Sequence, residues 1–194
     1  MAGFLLFACL LFTGKALTRK VLYPVLPSNA EAAFESDNEV ARKIIKKLPK
    51  GPRPPVAIAI IEKVSGKPSQ RLISETTLHY YLDSCGFPVK DGENALLREY
   101  AGFYFADKPR DFPLTLVSKY YIIGAASAEP GEDQSGLIGA RAELEIYALN
   151  RNGEAFYSRI LRTESLALSL ESAQIKALKA AVSEAAVQIL PMLK

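Results

Sequence analysis

The order of apolar patterns along this chain predicts an α/β fold. It reads as a mixed sheet of about five strands with packed helices, in the order β-α-β-α-β-β-β-α. Three observations carry that reading. Val56–Val64, VAIAIIEKV, is a continuous apolar run rich in β-branched residues, the pattern of a strand covered on both faces. Residues 138–149 alternate, with Ala140, Ala142, Leu144, Ile146 and Ala148 facing one way and Arg141, Glu143, Glu145 and Tyr147 the other. Near the C-terminus, Leu178, Ala181, Val182, Ala185 and Ile189 recur at helical spacing.

The remaining elements follow in chain order. Residues 29–47 form one expected amphipathic helix, with Ala33, Val40, Ile44 and Leu48 apolar. Leu48-Pro49 ends it, and the proline-rich stretch through Pro55 reads as a stiff linker. After the strand at Val56–Val64, Ser65-Gly66 is a turn and Pro68 suits the first turn of a helix. Leu78, Tyr81, Leu82 and Cys85 make that helix's buried stripe, and Gly86 is its C-terminal cap. Phe87-Pro88-Val89 reads as a short strand. Residues 94–104 read as a helix interrupted near Gly102 and closed before Pro109. Residues 120–126, YYIIGAA, are a buried strand, and 129–136 an acidic, flexible loop. Asn150 to Gly153 is a hairpin turn into a partner strand at 155–162. Ser169 caps the last helix, Glu171 lies in its first turn, and Pro191 stops it.

Composition narrows the function classes. In 194 residues, 49% are hydrophobic and 23% charged, which fits a folded domain and neither a disordered chain nor a polytopic membrane protein. The net charge of +3 is spread along the chain. The basic cluster Lys43, Lys46, Lys47, Lys50 and Arg53 reads as a solvated helix end, so no nucleic-acid partner is expected. Cys9, Cys85 and a lone His79 do not make up a zinc site, which takes about four ligands. No phosphate loop, HExxH or nucleophile elbow is present. No catalytic residue, metal or cofactor is therefore expected, and the chain reads as a non-enzyme. His79 reads as a partly buried structural residue, flanked at i+4 and i−4 by Asp83 and Glu75. Glu62 follows a buried strand, a position enzymes use, but a lone carboxylate is equally explained by local pairing.

The N-terminus reads as an address. Residues 1–14, MAGFLLFACLLFTG, are apolar but shorter than the roughly 20 residues of a spanning helix. Gly14-Lys15-Ala16 offers small residues for cleavage after Ala16, giving a mature start at Leu17. Leu6-Phe7-Ala8-Cys9 also resembles a lipobox, with Cys9 as the acylated residue. The expected organisation is a signal at 1–16, a helix and proline-rich linker at 17–55, and an α/β domain at 56–194.

Several of these residues carry a resemblance. Tyr121-Ile122-Ile123-Gly124 at a strand, Gly153-Glu154 at the hairpin and Ala177-Leu178-Lys179-Ala180-Ala181 in the last helix occur in this order. The pattern over residues 55–194 resembles the periplasmic domain shared by the TolB N-terminal part, the curli pore protein CsgG and the middle part of FlgT. The resemblance implies an α/β domain of a bacterial periplasmic or outer-membrane assembly. It implies envelope proteins as partners and no catalytic residues. Membrane association is expected only through a lipid on Cys9 or a retained N-terminus.

Two functions follow: a structural or adaptor domain of the envelope, or a small-ligand or lipid-binding domain. Both direct attention to Tyr100, Phe103, Tyr104, Phe105, Arg110 and Phe112, whose composition is that of an interface centre, a pocket lining or a core. The acidic 129–136 loop is a second candidate for recognition. Cys85 is expected to be a buried packing residue.

Overall fold

A computed structural model describes residues 36–108 and 110–194. The expected signal, Cys9, the cleavage site and the start of the lead-in lie outside the described residues, as does Pro109. Strands β1 (Val56–Val64), β2 (Lys67–Pro68), β3 (Tyr120–Pro130), β4 (Ile138–Asn150) and β5 (Ala155–Ala167) form one sheet in the order β2-β1-β3-β4-β5. β1 and β3 are parallel and the other pairs antiparallel, so the sheet is mixed as predicted. Helices α1 (Asp37–Lys47), α2 (Ile73–Ser84), α3 (Asn94–Phe105) and α4 (Leu170–Ile189) pack on it.

Two cores flank the sheet because β1 and β3 are apolar on both faces. On one face Ile58, Ile60, Ile122, Leu144 and Ile146 meet Leu78, Tyr81 and Leu82 of α2 and Leu178, Val182 and Ile189 of α4. Val40, Ala41 and Ile44 of α1 join this same core, so a helix of the expected lead-in packs against the sheet domain. The Tyr81 hydroxyl lies 2.7 Å from Ser183 Oγ of α4 and 3.1 Å from Asp37 Oδ1 of α1. On the other face Ala57, Ala59, Tyr121, Ile123 and Leu149 meet Leu97, Tyr100 and Ala101 of α3. The alternation of β4 is as read: its alanine, leucine and isoleucine side lies under α4, and Arg141 and Glu143 are exposed.

Some elements differ from the sequence reading, each for a local reason. α1 begins at Asp37, where Ser36 is extended and its N–H donates to Glu39 Oε2 at 3.1 Å; residues 29–35 of the expected helix lie outside the described residues. Pro68 is not in a helix. Ser65 and Gly66 both have positive φ, which turns the chain back so that Lys67 and Pro68 pair with Val64 and Lys63. An edge strand tolerates proline's missing N–H. Residues 87–89 supply one bridge rather than a strand, with Val56 N–H donating to Pro88 O and Lys90 N–H to Val56 O. α3 runs unbroken through Gly102 to Phe105. Packing of Tyr104 and Phe105 onto Tyr147 offsets the glycine's cost of about 1 kcal/mol. β3 extends to Pro130 and β5 to Ala167, beyond the expected ends at 126 and 162.

Candidate functional site

The candidate aromatics lie at the end of α3 and in the loop that follows it, over the second core. Helical spacing turns Tyr100 and Tyr104 toward the sheet, where ring contacts run in a chain. Tyr121 meets Phe112 at 5.0 Å, Phe112 meets Tyr100 at 5.1 Å, and Tyr100 meets Tyr104 at 5.9 Å. Tyr104 continues to Tyr147 at 5.1 Å and Phe105 at 5.4 Å. Most of these contacts are edge-to-face, the arrangement that ring quadrupoles favour. Tyr100 is buried, and Tyr104, Phe105 and Phe112 are half-buried against the core. Tyr100 thus belongs to the base, and Tyr104, Phe105 and Phe112 pack on the core while staying partly exposed.

Burial shapes the acidity of this base. The Tyr121 phenol is pushed up to about 12 by burial, with the Glu93 carboxylate adding to the effect. Tyr147 is raised further, first by burial and then by Glu145, whose Oε1 accepts its hydroxyl at 2.7 Å. Both phenols are thus held neutral and act as packing groups.

Phe103 and Arg110 form the outer layer. The Arg110 guanidinium lies 4.4 Å from the Phe103 ring centroid and its Nη1 is 2.7 Å from Glu99 Oε1. Beyond Phe112, Leu114 is 82% and Val117 67% exposed, two of the most exposed large apolar side chains among the described residues. The loop is anchored beneath them by Leu116, which is buried, and by Phe112 against the β4–β5 turn. At that turn Gly153 has φ +79°, and a Cβ there would lie 2.4 Å from Phe112 Cγ. Sequence reasoning stopped at Phe112 and missed Leu114 and Val117. Two apolar residues flanking a buried leucine give no periodic signal in so short a loop.

The second candidate, 129–136, is a folded hairpin rather than a flexible loop. Glu129 Oε1 accepts Gly66 N–H at 2.9 Å, Asp133 Oδ1 accepts Gly139 N–H at 3.0 Å, and Glu132 pairs with Arg141. Its carboxylates are thereby engaged within the fold.

The other titratable candidates have structural positions. His79 Nδ1 lies 3.1 Å from Asp83 and Nε2 3.4 Å from Asp91. Glu75 does not pair with it and instead accepts Ile60 N–H at 3.0 Å and Arg98 Nη2 at 2.6 Å. Cys85 is buried in the main core, and burial pushes its thiol up to about 11. Among the described residues no cluster of His, Cys, Asp and Glu could hold a metal ion, and no helix is long and apolar enough to cross a membrane. An open groove of about 430 Å³ lies elsewhere, between α1, α2 and α4, lined by Asp37, Thr76, Thr77, Tyr80 and Lys179 among others. Its Lys179 ammonium is paired with Asp37 at 3.2 Å.

The fold and this surface define a mixed-sheet α/β domain with an exposed apolar rim on an aromatic base. No family model matches the chain, and no curated protein matches it. Solved structures similar to it include a hypothetical protein from Chlamydia trachomatis, at 12% identity and a TM-score of 0.48, covering 72% of this chain and 97% of that one. A lipoprotein from Neisseria meningitidis is similar at 14% identity and a TM-score of 0.35, covering 68% and 97%. The LpoB C-terminal domain from Salmonella enterica is similar at 12% identity and a TM-score of 0.32, covering 66% and 98%. The neighbours thus include bacterial lipoproteins, at a distance that assigns no family.

Proposed function

We propose that this chain is an exported, non-enzymatic domain of a bacterial cell envelope that works by contacting other envelope proteins. The contact surface is Phe103, Arg110, Leu114 and Val117. The observation that carries the reading is the layering of this region. Exposed Leu114, Val117 and Arg110, with the half-buried Phe103 ring, stand on an interlocked aromatic base, which lowers the ordering cost at binding. Two further supports come from sequence: the short apolar run before Gly14-Lys15-Ala16, and the resemblance to the TolB N-terminal-like periplasmic domain. On this reading the protein is periplasmic or associated with the outer membrane, by way of Cys9 if that residue is lipidated.

The test is cross-linking and capture from envelope extracts of the native host. Leu114→Ser/Val117→Ser should abolish capture while leaving the melting temperature unchanged, because both side chains lie outside the core. Undiminished capture by that variant would remove this surface from the account. A small-ligand function is the second reading, favoured by the groove between α1, α2 and α4, whose volume falls in the ligand range of about 300–1,000 Å³. Binding of a small molecule that is lost in Tyr80→Ala would support it.

A further inference from the structure

The two edges of the sheet are treated differently. The outer edge of β1 is closed group by group. Val56 is bridged by Pro88 and Lys90, Ile58 N–H donates to Asn94 Oδ1, and Ile60 N–H donates to Glu75 Oε2. β2 covers Lys63 and Val64. The opposite edge, β5, is 13 residues long and pairs with no strand on its outer side among the described residues. Its sequence, AFYSRILRTESLA, contains no proline, lysine or glycine. Proline and lysine are two of the devices that blunt an exposed edge; the one bulge of the β4–β5 pair lies at the Ala155–Tyr157 end, away from Thr163, and the outward charges Arg162 and Glu164 are of opposite sign.

The side chains on the face of β5 away from α4 are ordered in a way that fits a second copy. They run Ser158, Ile160, Arg162, Glu164, Leu166. An antiparallel pairing of β5 with itself, centred on Thr163 opposite Thr163, sets Arg162 against Glu164 of the second copy, twice by symmetry. It also sets Ile160 against Leu166 of the second copy, twice. Shifting the centre by one residue either way sets Arg162 against itself or Glu164 against itself. Directly opposed like charges destabilise a strand pair. Within one chain Arg162 Nε already lies 2.7 Å from Glu143 Oε2, and Arg141 Nε 2.8 Å from Glu164 Oε1. The joined sheet would therefore carry two rungs of alternating charge: Glu143, Arg162, then Glu164 and Arg141 of the second copy.

We propose that the protein dimerises by antiparallel pairing of β5 with β5 of a second copy, in the register centred on Thr163. This surface is distinct from the α3–loop region and stands whether or not that region binds a partner. Centring on one residue places equivalent backbone groups opposite one another, so outward N–H and C=O groups meet their counterparts.

Sedimentation equilibrium of the purified full chain tests the state. A dimer is expected at micromolar concentration. Arg162→Glu, at an exposed position, should make it monomeric with its circular dichroism spectrum retained. A wild-type monomer throughout the accessible concentration range, or an Arg162→Glu protein that dimerises as the wild type does, would overturn the proposal. The register has its own test in a Cys9→Ser background. Ile160→Cys/Leu166→Cys should form a disulfide-linked dimer on mild oxidation, because these residues lie about 20 Å apart along one strand and meet only between copies. Ile160→Cys alone should not link. Linking by the single variant, or a failure to link by the double one, would contradict the register.

Discussion

Glu62 of β1 holds the start of α2 through Ser74: its Oε2 accepts the Ser74 N–H at 2.7 Å, while Oε1 accepts that of Ile73 at 3.1 Å. Leu72, at the N-cap, has φ +46° and no side chain able to cap. A carboxylate from the neighbouring strand thus does what a serine or aspartate would do locally, and it also suits the positive end of the helix dipole. Glu62 is 3% exposed, so removing it leaves one buried donor, Ser74 N–H, and one part-buried donor, Ile73 N–H, unsatisfied. Glu62→Ala should cost about 3 kcal/mol of unfolding free energy, measured by urea denaturation. A loss below about 1 kcal/mol, the scale of a surface change, would mean the cap is dispensable.

This relationship also marks where sequence reading reached its limit. Glu62 was visible as an acidic residue after a buried strand, but its role depends on α2 returning to lie beside it, and no spacing rule encodes that. The same holds for Lys67–Pro68, where the positive φ of Ser65 outweighed proline's preference for a helix start. By contrast, Val56 to Ile60 and the alternation of β4 were legible because burial on two faces, or on one, leaves a direct period in the residues. The candidate aromatics were legible as a cluster, but their division into base and rim was not. That division follows from the direction of α3 over Tyr121 and Tyr147.

The division predicts unequal effects within the segment. Phe105→Ser, which removes a ring packed on Tyr104 and Tyr147, should cost about 3 kcal/mol of stability. Phe103→Ser should cost about 1 kcal/mol or less, since its ring contact is with Arg110 on the outer side. Chemical denaturation of the two variants side by side checks this. Equal losses would mean Phe103 belongs to the core.

Gly153 should be intolerant of any side chain. An alanine would require φ +79° and place Cβ 2.4 Å from Phe112 Cγ. Gly153→Ala should therefore cost about 2–3 kcal/mol, combining backbone strain with displacement of Phe112. Thermal denaturation gives the loss, and a drop in near-ultraviolet dichroism would report the loosened aromatic chain. Unchanged signals in both would contradict the contact.

Alkaline pH should weaken the fold. Burial raises Cys85 from 9.0 to about 11, against the opposing pull of Arg53, and raises Tyr121 and Tyr157 from 10.0 to about 12. A group held protonated by folding contributes fully below its unfolded pKa and loses that contribution as pH rises toward the folded value. Stability should be level up to about pH 9 and decline between pH 9 and about 12. Cys85→Ala should flatten the first part of that decline. The same burial predicts slow reaction of Cys85 with a thiol reagent in the folded protein. Rapid labelling would show that the thiol is accessible.

Export is tested most directly at the N-terminus of the protein recovered from its native host. Fractionation followed by N-terminal sequencing should find the chain in the periplasmic or outer-membrane fraction, beginning at Leu17, or at a lipid-bearing Cys9. A chain that retains Met1 and is recovered from the cytosolic fraction would contradict the account.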